Sequence, residues 1–271
     1  MAADGSIYID TKIDDSKLDK QASDVKGKLQ KAFGSVVTAG AAAVGAGVAA
    51  LGVFTTKGLA AFSDFQSGMN EVFTLMPDIS QTAMDDMTKQ VKDFAKEYGV
   101  LPEKVIPSLY QAISAGVPRE NVFTFLETAQ KAAKGGVTEL ETAIDGITSV
   151  VNAYGEDVID ATQASDLMFT AVKDGKTTFE ELSGSLYNVI PTAAGAGVAF
   201  SDVTAAIAAM TAQGTPTSVA TTQMRQMLVE LSKDGTKTSD MFKELAGTSF
   251  KDFIVQGNNV QDALTLLEGY A

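Results

Sequence analysis

The sequence predicts an all-α protein: a long N-terminal helix with an apolar Ala/Gly-rich segment, followed by a compact bundle of about eight short antiparallel helices. Three observations carry that expectation. Glycines recur at Gly99, Gly116, Gly136, Gly155, Gly175, Gly197, Gly214 and Gly235, 17 to 22 residues apart. Between them apolar residues step by three and four, as in Met84/Met87/Val91/Phe94, Val105/Ile106/Leu109/Ile113 and Leu140/Ala143/Ile144/Ile147/Val151, which is the period of one buried helix face. The composition is 7% aromatic, has no Trp and is rich in Ala, Gly and Thr, which suits thin helices that approach one another closely.

In chain order, Met1–Ile13 holds a short alternation through Ile7, Ile9 and Ile13, the pattern of an edge strand or an ordered tail. It lacks a basic start leading into an apolar core, so it is not a secretory signal. From Ser16 the period becomes helical. Leu18, Ala22, Val25, Leu29, Ala32 and Val36 step by four and three, a pattern shared by a coiled-coil seam and by a helix packed on its own domain. The following run, Val36–Phe54, is uncharged; Lys26, Lys28 and Lys31 precede it and Lys57 follows. About 20 apolar residues cross a bilayer, so one reading is a membrane-active segment with Val36, Val37, Val44, Val48, Leu51, Val53 and Phe54 as its strongly apolar positions. The other is an Ala/Gly helix whose small residues let a neighbour close in. The scarcity of large apolar side chains favours helix–helix packing in the resting state.

After Gly58 each unit of about twenty residues holds one helix and a short turn. Gly116, Gly136, Gly155, Gly175, Gly197 and Gly214 are the expected structural turns. In Ala115-Gly116-Val117, Gly135-Gly136-Val137 and Ala196-Gly197-Val198 the glycine is expected to take the left-handed position after the helix, with the Val folding back on the last turn. Pro118, Thr138 with Glu141, and Ser201 are the expected helix starters. Thr178 stands three residues before Glu181, a capping-box pattern. Phe179, Leu182, Leu186, Val189, Ile190 and Ala193 share one face of a helix that Pro191 should kink or stop. Short turns make neighbours antiparallel, hence a bundle rather than a strict repeat array. The expected organisation is an arm over 1–57, a helical core domain over 58–235, and over 236–271 the start of a further helical region belonging to a longer protein.

The absences bound the chemistry. There is no His and no Cys, so imidazole acid–base catalysis, a thiolate nucleophile, a disulfide frame and a Cys/His zinc site are all excluded. Asp85-Asp86 and Glu180-Glu181 fall in expected first helical turns, where acids favour the dipole. Neighbouring residues there point to different helix sides, so capping outweighs catalysis. The stretch Gly40–Gly52 lacks the Lys-Ser/Thr of a phosphate loop and a preceding strand. Met84/Met87 and Met224/Met227 read as core positions, and Arg225 as a structural ion-pair former. No catalytic, metal-binding or cofactor-binding residue is expected, and no enzyme activity. The net charge is −13, and from Gly58 onward 14 Lys/Arg face 28 Asp/Glu. Such a surface repels phosphate backbones, so no direct nucleic-acid binding is expected from this region.

A resemblance adds to this reading. SDLMFTAVKDGKTTFEEL, NVIPTAAGAGVAFSDVTAAIAAMTAQGTPT and TTQMRQML, with LYQAISAGVP and VVNAYG upstream, resemble in order and spacing the core of phage tail tape measure proteins. The likeness covers roughly Leu59 to Leu231 and, more loosely, the start of the chain. It implies a structural virion protein whose extended helical part sets tail length, nucleates tube assembly and assists DNA passage into the host. It further implies a homo-oligomer in the tail tube lumen, in contact with tail assembly chaperones, tube and tip proteins, and a host membrane met by the apolar segment during entry. The alternative is a pore-forming or toxin-like helical protein that inserts Val36–Phe54.

Overall fold

The computed structural model describes residues 63–269, and among these there is no strand. Helix α1 runs over 63–74. It is followed by α2 (Gln81–Tyr98), α3 (Pro102–Ser114), α4 (Val122–Gly136), α5 (Leu140–Tyr154) and α6 (Ala161–Asp174). A short α7 (Phe179–Ser183), a 3-10 turn (Leu186–Asn188) and α8 (Ile190–Gly195) come next. The chain then forms α9 (Phe200–Ala212), α10 (Thr217–Ser232), α11 (Lys237–Ala246), α12 (Phe250–Val255) and α13 (Val260–Glu268). The coiled-coil-like stretch and the apolar run Val36–Phe54 lie outside the described residues.

The described residues form one compact unit, and α5 is its axis. It touches α3, α4, α6, α7 and α8, and Ala143, Ile144, Ile147 and Val150 on it are fully buried. Around it α6 packs along α9, and α9 along α10. A separate aromatic knot ties the last helices: Phe242 meets Phe250 and Phe253 edge-on, with centroids 5.6 and 5.3 Å apart.

Small residues set these distances. A Cβ on Gly146 of α5 would lie 2.7 Å from Ser183 Cβ and 3.0 Å from Ser183 Cα on α7. One on Gly136 would lie 2.6 Å from Phe179 Cβ. Real Cβ atoms do not approach so closely, so each glycine marks a crossing that any side chain would prise apart.

Several sequence expectations are corrected. Gly136 does not take the left-handed turn; it is the last residue of α4, and Val137 carries φ of 52° with its side chain 88% exposed. The close approach of Phe179 requires Gly136 inside the helix, which pushes the strained position one residue on. Gly175 is extended, with φ −110°; it is small because Ala208 Cα of α9 would lie 2.9 Å from its Cβ. Gly116, Gly155, Gly197 and Gly214 hold φ of 94°, 90°, 77° and 95°. At two of them the following Val closes a Schellman-type end, its amide donating 3.0 Å to Ala112 O and to Ala193 O respectively.

The helix starts also move. α4 begins after Asn121 rather than at Pro118, α5 after Glu139 rather than at Thr138, and α9 at Phe200 rather than Ser201. The Phe179–Ala193 stripe is not one helix. The chain breaks after Ser183, and Pro191 sits in the first turn of α8, where a missing amide costs nothing. Thr178 Oγ1 does accept the Glu181 amide at 3.0 Å. The Glu181 carboxylate does not return to complete a box; it turns to Thr217. Closed capping boxes stand instead at Asp160/Gln163 and Asn259/Asp262.

Candidate interaction surface

No charged side chain is among the buried residues of the described chain, and no cluster of metal-ligating groups occurs among them. Asp85, Asp86, Glu180 and Glu181 are all exposed. Gln81 Nε2 donates to Asp85 Oδ1 at 3.1 Å, which occupies that carboxylate in its own helix. Met87 and Met224 are buried, while Met84 and Met227 are half-buried. Only two ion pairs occur among the described residues, Arg119–Glu120 and Lys243–Asp234, both at the surface. Arg225 is exposed and joins neither of these pairs. The surplus of acids therefore stays on the outside, largely uncompensated. No described helix is long and apolar enough to cross a membrane.

Two polar latches join the pieces, and both fall in the phrases singled out above. The last turn of α5 supplies one. Asn152 Nδ2 donates to Ala115 O at 2.7 Å, and Tyr154 OH donates to Val198 O at 2.9 Å. One helix end thereby holds the two Ala-Gly-Val junctions, Ala115–Val117 and Ala196–Val198. The second latch is a cluster of Thr177, Glu181 and Thr217. Thr217 Oγ1 donates to Glu181 Oε2 at 2.9 Å and lies 2.7 Å from Thr177 Oγ1. It fastens the start of α10 to α7. Neither Asn152 nor Tyr154 was picked out individually by its sequence pattern; only the phrase around them was.

Tyr154 has a pH consequence. Burial raises its phenol well above the ordinary 10.0, and the charge of Asp202 raises it further. The folded protein thus holds the proton more tightly than the unfolded chain. The stability this supplies is complete below about pH 10 and is lost as pH climbs above that value. Tyr154→Phe should cost about 1 kcal/mol near neutrality through the lost hydrogen bond. The gap between parent and variant should narrow and then reverse above the ordinary tyrosine range. Melting curves of both proteins across that range test this, and a constant gap would contradict it.

Two open grooves mark the surface. The first, about 540 Å³, runs between α4, α5 and the start of α6, with Asn121, Thr124, Thr128 and Asn152 on its walls. The second, about 510 Å³, runs between α9, α10 and the start of α13, with Ala205, Ala206, Met210, Met227 and Leu264 on its walls. Concave helix-lined surfaces of this kind suit binding.

Comparison with known proteins bears on which binding this is. Residues 88–270 match the family described as phage-related minor tail protein. Over 260 residues the chain is 31% identical to a probable tape measure protein of Clostridium phage phiCD119, covering 92% of this chain and 27% of that relative. The chain thus spans about a quarter of the length of the curated relative it matches. No solved structure matches it.

Proposed function

The chain belongs to the phage-related minor tail protein family, a structural component of viral tails, and we propose that it is the folded head of a tape measure protein. In this reading the helical unit over 62–271 is the anchoring end of a much longer helical ruler. It meets other tail components through its surface and performs no chemistry. The observation that supports it most directly is the 31% identity to a probable tape measure protein over 92% of the chain. The phrases whose order and spacing resemble the tape measure family build α3, the α5 latch, the α6–α7 loop and α10.

The physical form suits the role. No charged side chain is buried among the described residues, and the acidic exterior repels DNA passing nearby. In a virus encoding this chain, a duplication of about 100 helical residues elsewhere in the full-length protein should lengthen the tail by roughly 150 Å, at about 1.5 Å per residue. Electron microscopy of the tails measures it, and tails of unchanged length would overturn the reading.

A further inference from the structure

Helix α10 has two ordered sides. Thr217, Ala220, Thr221, Met224, Leu228 and Leu231 face the core. On the other side Val219, Thr222, Gln226 and Val229, with Lys233 just past the helix end, are all exposed. These five step by three, four, three and four. Single exposed valines are ordinary, but this alternation is the seam of a coiled coil. Val219, Gln226 and Lys233 hold its a positions, and Thr222 and Val229 its d positions.

Two charges flank the seam. Arg225 stands at g, immediately before Gln226, and Glu230 at e, immediately after Val229. Five residues put them about 140° apart around one helix, so they cannot meet there. Arg225 also has no acid three or four residues away on α10, where a helix would supply a partner. Both side chains are exposed, and neither joins an ion pair among the described residues.

Two parallel helices on one seam bring each g residue opposite the e residue five positions on in the other helix. Arg225 and Glu230 have that spacing. Antiparallel helices would instead set g against g, with Arg225 against Arg225. The exposed side of α10 is thus complementary to itself in one orientation. Charge restricts the occupant in the same direction. From Gly58 onward 28 acids face 14 bases, so two copies repel over most of their surfaces. α10 itself carries one acid and one base, so two copies can close there without bringing like charges together.

We propose that α10 pairs in parallel with α10 of a second copy, Arg225 of each meeting Glu230 of the other across the Val219/Thr222/Gln226/Val229 seam. The polar a residue, Gln226, lowers the affinity and fixes the register. Such a pair points both chains the same way, which goes beyond the ruler reading. Tail length decides that reading and this seam does not, so the two can fail separately.

The test uses the full 271-residue chain at low salt. Sedimentation should show that Arg225→Glu and Glu230→Arg each weaken self-association at least about tenfold, because like charges then meet. Both changes in one chain restore opposite charges and should recover the parent value within about twofold. Matching melting curves confirm that each variant is folded. The parent has no Cys, so Gln226→Cys supplies a single thiol. Parallel pairing sets it beside its own counterpart, within reach of a disulfide. Under copper-catalysed air oxidation it should give a linked dimer at least about tenfold faster than Thr82→Cys, an exposed position on α2. A monomeric parent, single variants that associate as the parent does, or no recovery in the double variant would overturn the proposal. So would equal oxidation of the two cysteine variants.

Discussion

Gly146→Val should lower the stability of the chain by about 3 kcal/mol, the upper end of what overpacking costs. For a unit of this size that corresponds to a fall of roughly 6–12 °C in Tm. Gly146 sits mid-way along α5, the helix that touches five others, and its missing Cβ leaves room for Ser183 Cβ and Cα at 2.7 and 3.0 Å. A rotamer change can withdraw the nearest atom, Ser183 Oγ, but the next two are a side-chain root and a backbone atom that no rotamer moves, so α7 as a whole must shift. On helix propensity alone Gly146→Ala would stabilise by up to about 1 kcal/mol, so the propensity and packing arguments predict opposite signs. A double-mutant cycle separates them. In a Ser183→Gly background the cost of Gly146→Ala should shrink by at least about 1 kcal/mol, read from urea midpoints at constant slope. An unchanged cost would mean that α5 and α7 are not in this contact.

The bundle was legible in the sequence because its signals are local and repeated. Stripes such as Leu140/Ala143/Ile144/Ile147 mark a buried face whatever lies across from it. Glycines such as Gly116 and Gly197 satisfy a helix end by a bond to the same helix. What was not legible depends on partners distant in the chain. Thr138 with Glu141 has the letters of a cap, yet α5 starts a residue later with no side-chain cap. Glu181 has the letters of a box but is drawn off by Thr217, 36 residues away. Gly175 and Gly136 were read as turns because glycine has two uses, positive φ and close approach, and only the opposing helix says which applies. The same holds for the surface. The groove between α9, α10 and α13 is lined in part by Ala and Met, residues that read as core in any single helix.

Phe179→Ala should cost about 3–5 kcal/mol, the largest effect expected of any single truncation here. Phe179 is 1% exposed, its ring lies 4.9 Å from that of Phe169, and its Cβ and Cγ lie 2.6 and 2.9 Å from where a Cβ on Gly136 would be. Gly136→Val alone should cost about 3 kcal/mol for that reason, not through backbone strain, since Gly136 has ordinary helical geometry. The two losses share one volume. With the ring and the Cβ both gone, as in Phe179→Gly, the added valine has space to occupy, so the Gly136→Val/Phe179→Gly double variant should be at least about 1 kcal/mol more stable than the sum of its singles predicts. Gly195→Ala supplies the control, because a Cβ there meets nothing within 4 Å and should leave Tm level or slightly raised. Val137→Gly separates the remaining explanation. It relieves a left-handed Val at φ 52° and should not weaken the chain as Gly136→Val does. If Gly136→Val proves harmless, or adds in full to Phe179→Gly, then α4 does not press on α7 at this point.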